Sequence, residues 1–300
     1  MKLSKETILI VLAFFAIYVI WGSTYLLNKI AVADIPPLFL SASRFIFAGI
    51  IIFIISKFLK ISLRVTKKQL FNNTIAGFLF LVYGNGVFVW ALKYVDSGFA
   101  ALEASSLPLV VLLLMRIIHK QKIQKMALVG VLLGLIGIYL LVSQQEITTG
   151  SNSLLGVIMI ATCIFSWGFA SIFVSKADLH KSYFVNAGYQ MIIGGILLSI
   201  FSLIVGETWT SPFDWKPLTV NIMLLLIVFG SIIAFTAFNF LLQKVSPEKV
   251  ATSSYVNPLI ALLLGWYVLD EKISLQSIIA AVILLLGVYF INSSKNKKVS

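Results

Sequence analysis

Charge is scarce in this chain, and acid is scarcer than base. Only 11% of its 300 residues are charged, 11 acidic against 23 basic, where a soluble domain carries about 25%. Set beside a hydrophobic fraction of 60%, that shortage excludes an ordinary soluble globule. Cysteine occurs once, as Cys163 within an apolar run, which excludes a disulfide framework and a thiolate metal site. Histidine occurs twice, as His119 and His180 at predicted helix ends, too few for a metal cluster. No Walker loop, dinucleotide fingerprint or Ser/His/Asp arrangement is present, and no soluble stretch could house one. No cofactor or metal is expected, and an ATP-driven pump would need a separate motor subunit.

What is present is length without charge. Apolar runs recur at roughly 20 residues, enough for a helix to cross a hydrocarbon core of about 30 Å. They predict ten spans, at about 7–27, 37–57, 69–92, 97–118, 125–143, 153–175, 183–205, 217–243, 249–268 and 274–292. Pro36, Pro37, Pro212, Pro217 and Pro247 fall at or near their boundaries, where proline is easiest to accommodate. Lys2 and Lys5 before the first span imitate a signal peptide. That run is too long for such a segment and lacks a small-residue cleavage site, so it is expected to be retained.

The chain also repeats itself. Val95 to Tyr139, shifted by 150 positions, lands on Val245 to Tyr289 without a gap, with 12 identities in 45 positions. Pro108-Leu109 falls on Pro258-Leu259, Lys122-Ile123 on Lys272-Ile273, and Gly137 on Gly287. Earlier, at a shift of 146, Trp21-Gly22 meets Trp167-Gly168 and Gly49 meets Gly195. A fixed-period self-match marks a duplicated unit.

Orientation follows from the loops, because Lys and Arg accumulate on the cytoplasmic side. With the N-terminus inside, the inner segments hold 18 basic residues and the outer ones 4, namely Lys29, Lys93, Lys216 and Lys272; Arg44 lies within a span. Both termini are therefore expected in the cytoplasm, and the net charge of +12 reads as this bias rather than as a nucleic-acid surface. Five spans per copy is an odd number, so the second copy enters the membrane upside down. The expected fold is an all-α integral membrane protein, ten transmembrane helices as two inverted five-helix repeats. Inverted repeats build secondary transporters, with the substrate site near the midplane between the halves.

Three stretches carry a family resemblance: Trp21-Gly22-Ser23-Thr24-Tyr25 followed by Lys29, Ser97-Gly98 through Leu107-Pro108-Leu109, and Asn257-Pro258-Leu259 leading to Leu269-Asp270-Glu271-Lys272. On these the chain resembles the EamA-type branch of the drug/metabolite transporter superfamily, as two units at 7–146 and 150–293. The resemblance implies a central cavity between inverted halves and efflux of amino acids or other small metabolites. In one respect the chain departs from the family pattern. Glu271 ends the ninth span, whereas the corresponding place in the first half is Gln121.

Charge within a span costs about 2.5–3.5 kcal/mol on insertion scales and marks function by default. Arg44 and Glu103 qualify. Both lie six or seven residues in from the outer face, roughly 10 Å deep at 1.5 Å per residue, so they are placed to meet. A carboxyl at Glu103 can take up and release a proton in step with cargo, while Arg44 suits an anionic group. The plain alternative is a structural ion pair, or an Arg44 that snorkels to the interface. Trp21, Tyr25, Trp90, Trp167 and Tyr255 lie within spans, as do Asn85, Asn239 and Asn257. Packing is the plain reading of the aromatics and lining a pathway the functional one. Asn257 precedes Pro258, which frees a helix carbonyl, so its amide can serve substrate or backbone. Tyr83-Gly84-Asn85-Gly86 is a candidate unwound segment, and Gly130, Gly134 and Gly137 form a small-residue stripe for helix packing.

A secondary transporter exporting a small metabolite across the cytoplasmic membrane fits these features best, with amino acids as the leading class. Its expected partners are the solute, the lipid bilayer and protons; no nucleic acid is expected, and a second copy of the chain is admitted. Import of a metabolite is the nearest alternative. An integral membrane enzyme is more distant, since Asp270-Glu271 is the one acidic pair it would have to use.

Overall fold

A computed structural model describes residues 4–94, 100, 103–120, 122–143, 153–269 and 274–293. The described residues contain no strand. The chain starts with a continuous helix α1 over 5–31, then α2 (Pro37–Phe58) and α3 (Lys67–Ala91). There follow α4 (Leu107–His119), α5 (Lys125–Val142), α6 (Ser153–Lys176) and α7 (Tyr183–Val205). Last come α8 (Pro217–Lys244), α9 (Ser253–Leu269) and α10 (Leu275–Ser293). Seven of these, α1–α3, α6–α8 and α10, are long and apolar enough to cross a membrane.

Local signals set the helix ends. Thr66 and Gln69 form a reciprocal capping box that starts α3, satisfying donors that the first turn leaves free. Pro37 and Pro217 open α2 and α8, where the missing N–H is no loss. Gly206 ends α7 at φ 80°, a left-handed residue that closes the last turn. The outward faces are apolar: Leu155, Ile158, Phe165 and Phe169 are all exposed along α6. Apolar side chains facing outward are what a hydrocarbon surround requires.

Three expectations change in detail. The fourth predicted span, drawn as one helix over 97–118, is interrupted by a turn at 105–106, and α4 begins at Leu107. The ninth predicted span, drawn as one helix over 249–268, is broken: a single turn Pro247–Val250 precedes α9 across residues 251–252. The patch at Tyr83-Gly84-Asn85-Gly86 is not unwound. It lies in a π-helical stretch, Phe78–Val87, which widens the helix while keeping its backbone hydrogen-bonded. A matching π stretch, Leu226–Ile233, occupies α8, and a shorter one, Ala16–Ile20, lies in α1.

The two most extensive helix contacts pair α2 with α7 and α5 with α10, and glycine makes both of them close. A Cβ added at Gly49 would lie 2.7 Å from Ile192 Cγ1 and 3.1 Å from the Gly188 carbonyl. One added at Gly195 would lie 2.6 Å from Ile46 Cγ1 and 3.0 Å from the Ala42 carbonyl. Those are the same three positions exchanged between copies at the shift of 146. In the other pair, Gly137 abuts Leu284 and the Ala280 carbonyl, while Gly287 abuts Gly134 and the Gly130 carbonyl, now exchanged at 150. Each contact is isologous, the form a two-fold axis produces.

Candidate functional site

The two tryptophans that correspond between the copies meet at the centre. Trp21 and Trp167 sit edge to face, ring centroids 5.9 Å apart at 81°. Trp21 Nε1 donates to the Gly230 carbonyl at 3.1 Å, within the π stretch of α8. Trp167 lies against Gly84, where a Cβ would come within 2.9 Å of the ring, within the π stretch of α3. Gly84 and Gly230 are themselves 146 positions apart. Each ring therefore seats on the widened helix of the other half, and Phe80 and Phe238 pack against Trp167 at 5.0 and 5.7 Å.

Beside this pair opens a cavity of about 160 Å³, roughly ten times what one water needs. Helix α1 presents Trp21, Thr24 and Asn28 to it, spaced i, i+3, i+7 and so on one face. Helix α2 contributes Arg44, α3 Asn85, α6 Cys163 and Trp167, and α9 Ser253 and Asn257. The remaining wall is mostly apolar, with Phe45, Leu81 and Phe235 among its residues.

Arg44 is the charged side chain of this wall and is only 5% exposed. Nη1 donates to Asn28 Oδ1 and Nη2 to Asn85 Oδ1, both at 3.1 Å. Nε has no partner, and Cζ lies 4.4 Å from the Phe45 ring centroid. Both partners are neutral amide oxygens, which orient the guanidinium without cancelling its charge. No carboxylate forms an ion pair with it among the described residues. The expected meeting with Glu103 does not occur: that carboxylate lies against α6, beside the Ala161 backbone and Cys163, with Oε2 unpaired. Counting depth along each helix places the two at one level but says nothing of azimuth, and the neighbours of Glu103 are on α6.

The other sequence candidates divide between wall and core. Trp21, Arg44, Asn85, Trp167 and Asn257 line the cavity. Asn257, with its amide nitrogen turned to its neighbours, donates to the Ile17, Tyr18 and Ser253 carbonyls at 3.0–3.1 Å, serving the π stretch of α1. The carbonyl that Pro258 leaves free, on Ser254, takes Ser105 Oγ at 3.1 Å. Tyr255 lies away from the cavity, its ring against Gly134 and its hydroxyl donating to the Val131 carbonyl at 3.3 Å. Asn239 is buried in α8 and donates to the Phe235 carbonyl, while Trp90 packs on the main core. The Tyr25 side chain lies outside the described residues, as do Gln121 and Asp270-Glu271-Lys272. Thr24 and Asn28 were not anticipated, although their spacing from Trp21 places them on its face.

At the outer end, as the topology was drawn, the loops are tied down. Glu207 accepts from the Leu38 and Phe39 N–H groups at 3.1 and 2.8 Å, a negative charge on the N-terminus of α2. Asp34 accepts from Lys216 Nζ at 2.7 Å and Thr219 Oγ1 at 2.6 Å. These two donors hold its carboxyl below the usual carboxylate range.

Comparison with known proteins follows the same division. The model of the EamA-like transporter family matches twice, over residues 8–143 and 154–293. The chain is 34% identical over 287 residues to the uncharacterized inner membrane transporter YedA of Escherichia coli K12, covering 94% of this chain and 90% of that one. It is 22% identical over 284 residues to the uncharacterized transporter YoaV of Bacillus subtilis, covering 93% and 95%. It is 26% identical over 277 residues to an S-adenosylmethionine/S-adenosylhomocysteine transporter of Chlamydia muridarum, covering 89% and 86%. A protein of known crystal structure shares the fold at a TM-score of 0.79 and 19% identity, covering 96% of both chains.

Proposed function

The chain belongs to the EamA-like transporter family, and from that premise we propose a secondary active transporter that exports small carboxylate-bearing metabolites, the class that includes amino acids. It works by alternating access in the cytoplasmic membrane, with ten spans in two inverted repeats and both termini inside. The reciprocal glycine contacts of α2 with α7 and α5 with α10 support the inversion. The site is the cavity at the junction of the halves, with Arg44, Asn85, Trp21 and Trp167 from the sequence set, joined by Asn28.

One observation carries this reading: a buried guanidinium opens on the cavity, held only by neutral amides. A buried charge left uncompensated is strongly unfavourable, so a site of this kind gains by admitting an anion. Counterflow in proteoliposomes tests the proposal. Labelled amino acids and organic acids are offered to vesicles preloaded with the same solutes; uptake of one above protein-free vesicles is expected, and failure of every solute to move would end the transport reading.

Export against a gradient needs an energy source, and we infer that Glu103 couples it to protons, its carboxyl lying near Cys163 of the cavity wall. In the same vesicles Glu103→Gln should still exchange labelled for unlabelled solute yet fail to accumulate it under an imposed pH gradient. If the variant concentrates solute as well as wild type, coupling lies elsewhere.

A further inference from the structure

The charge of the cavity wall has a single sign. Among the described residues that line it, Arg44 is the one side chain that carries a full charge, and no Asp or Glu is among them. Asn28 and Asn85 turn their side-chain oxygens to the guanidinium, so what they still offer an incoming N–H group is a neutral acceptor beside a positive charge. Nε, buried and unpartnered, remains to be satisfied. At the other end each tryptophan is packed against a phenylalanine. Phe238 lies 5.0 Å from Trp21, and Phe80 lies 5.0 Å from Trp167. Between Trp21 and Asn28 the face of α1 runs about 10 Å, seven residues at 1.5 Å each, and the wall along it is largely apolar.

We propose, resting on the transport reading above, that this cavity selects solutes of net negative charge: carboxylates with an apolar body spanning the distance from Arg44 to the tryptophan pair. An ammonium on the same body is a handicap. It would sit within a few ångströms of the guanidinium in a medium that screens charge poorly, and it would lack a carboxylate to meet it. Zwitterions are therefore carried less well than the matching acid, and amines are refused. The preference comes from what the wall lacks as much as from Arg44 itself, since a site for zwitterions needs an acceptor of opposite sign beside the cation.

A matched trio isolates the charge. Hydrocinnamate, phenylalanine and phenethylamine share one ring and linker and carry a negative charge, both charges and a positive charge. Thermal unfolding of the purified full chain in detergent, titrated with each, reads binding directly. Hydrocinnamate should half-saturate its stabilising shift at a concentration at least tenfold below that of phenylalanine, and phenethylamine should give no shift. Arg44→Gln should abolish the hydrocinnamate shift; should that variant not remain monodisperse, Arg44→Lys should raise the half-saturating concentration. Phenylalanine binding as tightly as hydrocinnamate, or any shift by phenethylamine, overturns the selectivity while leaving transport standing. Silence from all three, or an undiminished shift in Arg44→Gln, overturns it as well. Counterflow decides the transport reading separately.

Discussion

Arg44 and Gln190 occupy corresponding positions of the two copies, on α2 and α7, and both are buried. Arg44 opens on the cavity and leaves its charge available. Gln190 is closed into a neutral lattice: its Nε2 donates to Asn73 Oδ1 at 3.0 Å, Asn73 donates to Asn186 Oδ1 at 3.3 Å, and Asn186 donates to the His180 carbonyl at 2.8 Å. The supporting residues diverge in the same sense. Asn28 and Asn85 have Val174 and Ser231 as counterparts, so the second copy lacks the two amide oxygens that hold the guanidinium. The central tryptophans, the π stretches of α3 and α8 and the exchanged glycine contacts stay paired, while the π stretch of α1 has no counterpart in α6. Duplication supplies a nearly symmetric frame, and a few polar substitutions leave one half with a guanidinium open to the cavity and the other with a closed amide network.

The comparison breaks most completely if the copies are not inverted. In a Cys163→Ala background, Thr210→Cys should react with an impermeant thiol reagent on intact cells, and Thr66→Cys only after permeabilisation. Labelling of Thr66→Cys in intact cells would remove the two-fold relation on which Arg44 and Gln190 are matched.

Exchanging the two side chains gives the next largest effect. Gln190→Arg places a guanidinium among neutral amides, outside the cavity that Arg44 lines. An unpaired buried charge costs about 3–5 kcal/mol, so this variant should fail to survive extraction as a monodisperse protein. Arg44→Gln should fold, while counterflow of whichever acid the wild type carries falls roughly ten- to hundredfold. That is the worth of about 1.5–3 kcal/mol for a hydrogen bond to a charged group. A stable Gln190→Arg protein would show that the two surroundings differ less than their hydrogen bonds imply.

Smaller effects separate Gly22 from Gly168. A Cβ at Gly22 would lie 2.6 Å from Ile260 Cβ and 2.9 Å from the Asn257 carbonyl, whereas at Gly168 it meets only the ends of Leu114 and Val110 at 3.3 Å. Gly22→Ala should destabilise by about 1–3 kcal/mol, the usual cost of overpacking. Gly168→Ala should stay within about 0.5 kcal/mol of wild type. Thermal unfolding that ranks them the other way would mean α1 and α6 seat on α9 and α4 differently from their spacing here.

The smallest effect belongs to the outer tie. Because Lys216 and Thr219 hold the Asp34 carboxyl low, its contribution to stability is present at neutral pH. It is lost as pH falls through the lowered value, below the ordinary carboxylate pKa of about 3.9. The difference in Tm between wild type and Asp34→Asn should be greatest near neutrality and should close on acidification. A gap that widens in acid would reverse the assigned sign.

Much of this is legible in the chain before folding. Apolar length predicts the helices, and the shifts of 146 and 150 pair Gly49 with Gly195 and Gly137 with Gly287 before any contact is seen. Arg44 stands out because charge within a span is expensive. What cannot be read is azimuth. Glu103 shares the depth of Arg44 but faces α6, and Tyr255, two residues before Asn257, turns to Gly134 and away from the cavity. The π stretches also escape, since each adds a residue per turn without proline or charge to announce it. That widening shifts the phase of the residues after it, and Asn85, which meets Arg44, lies within the stretch of α3.

The exchanged glycine contacts have a consequence for biosynthesis. The small-residue face of α2 is completed by α7, and that of α5 by α10, each about half a chain later. At 5–20 residues per second, the usual pace of synthesis, α2 waits roughly seven to thirty seconds before its partner is made. During that interval the bare Gly49 groove faces lipid or a helper protein, and the first copy is an unfinished surface rather than a finished domain. Quality control at the membrane therefore has a defined thing to sense: a glycine groove still open once the ribosome has left.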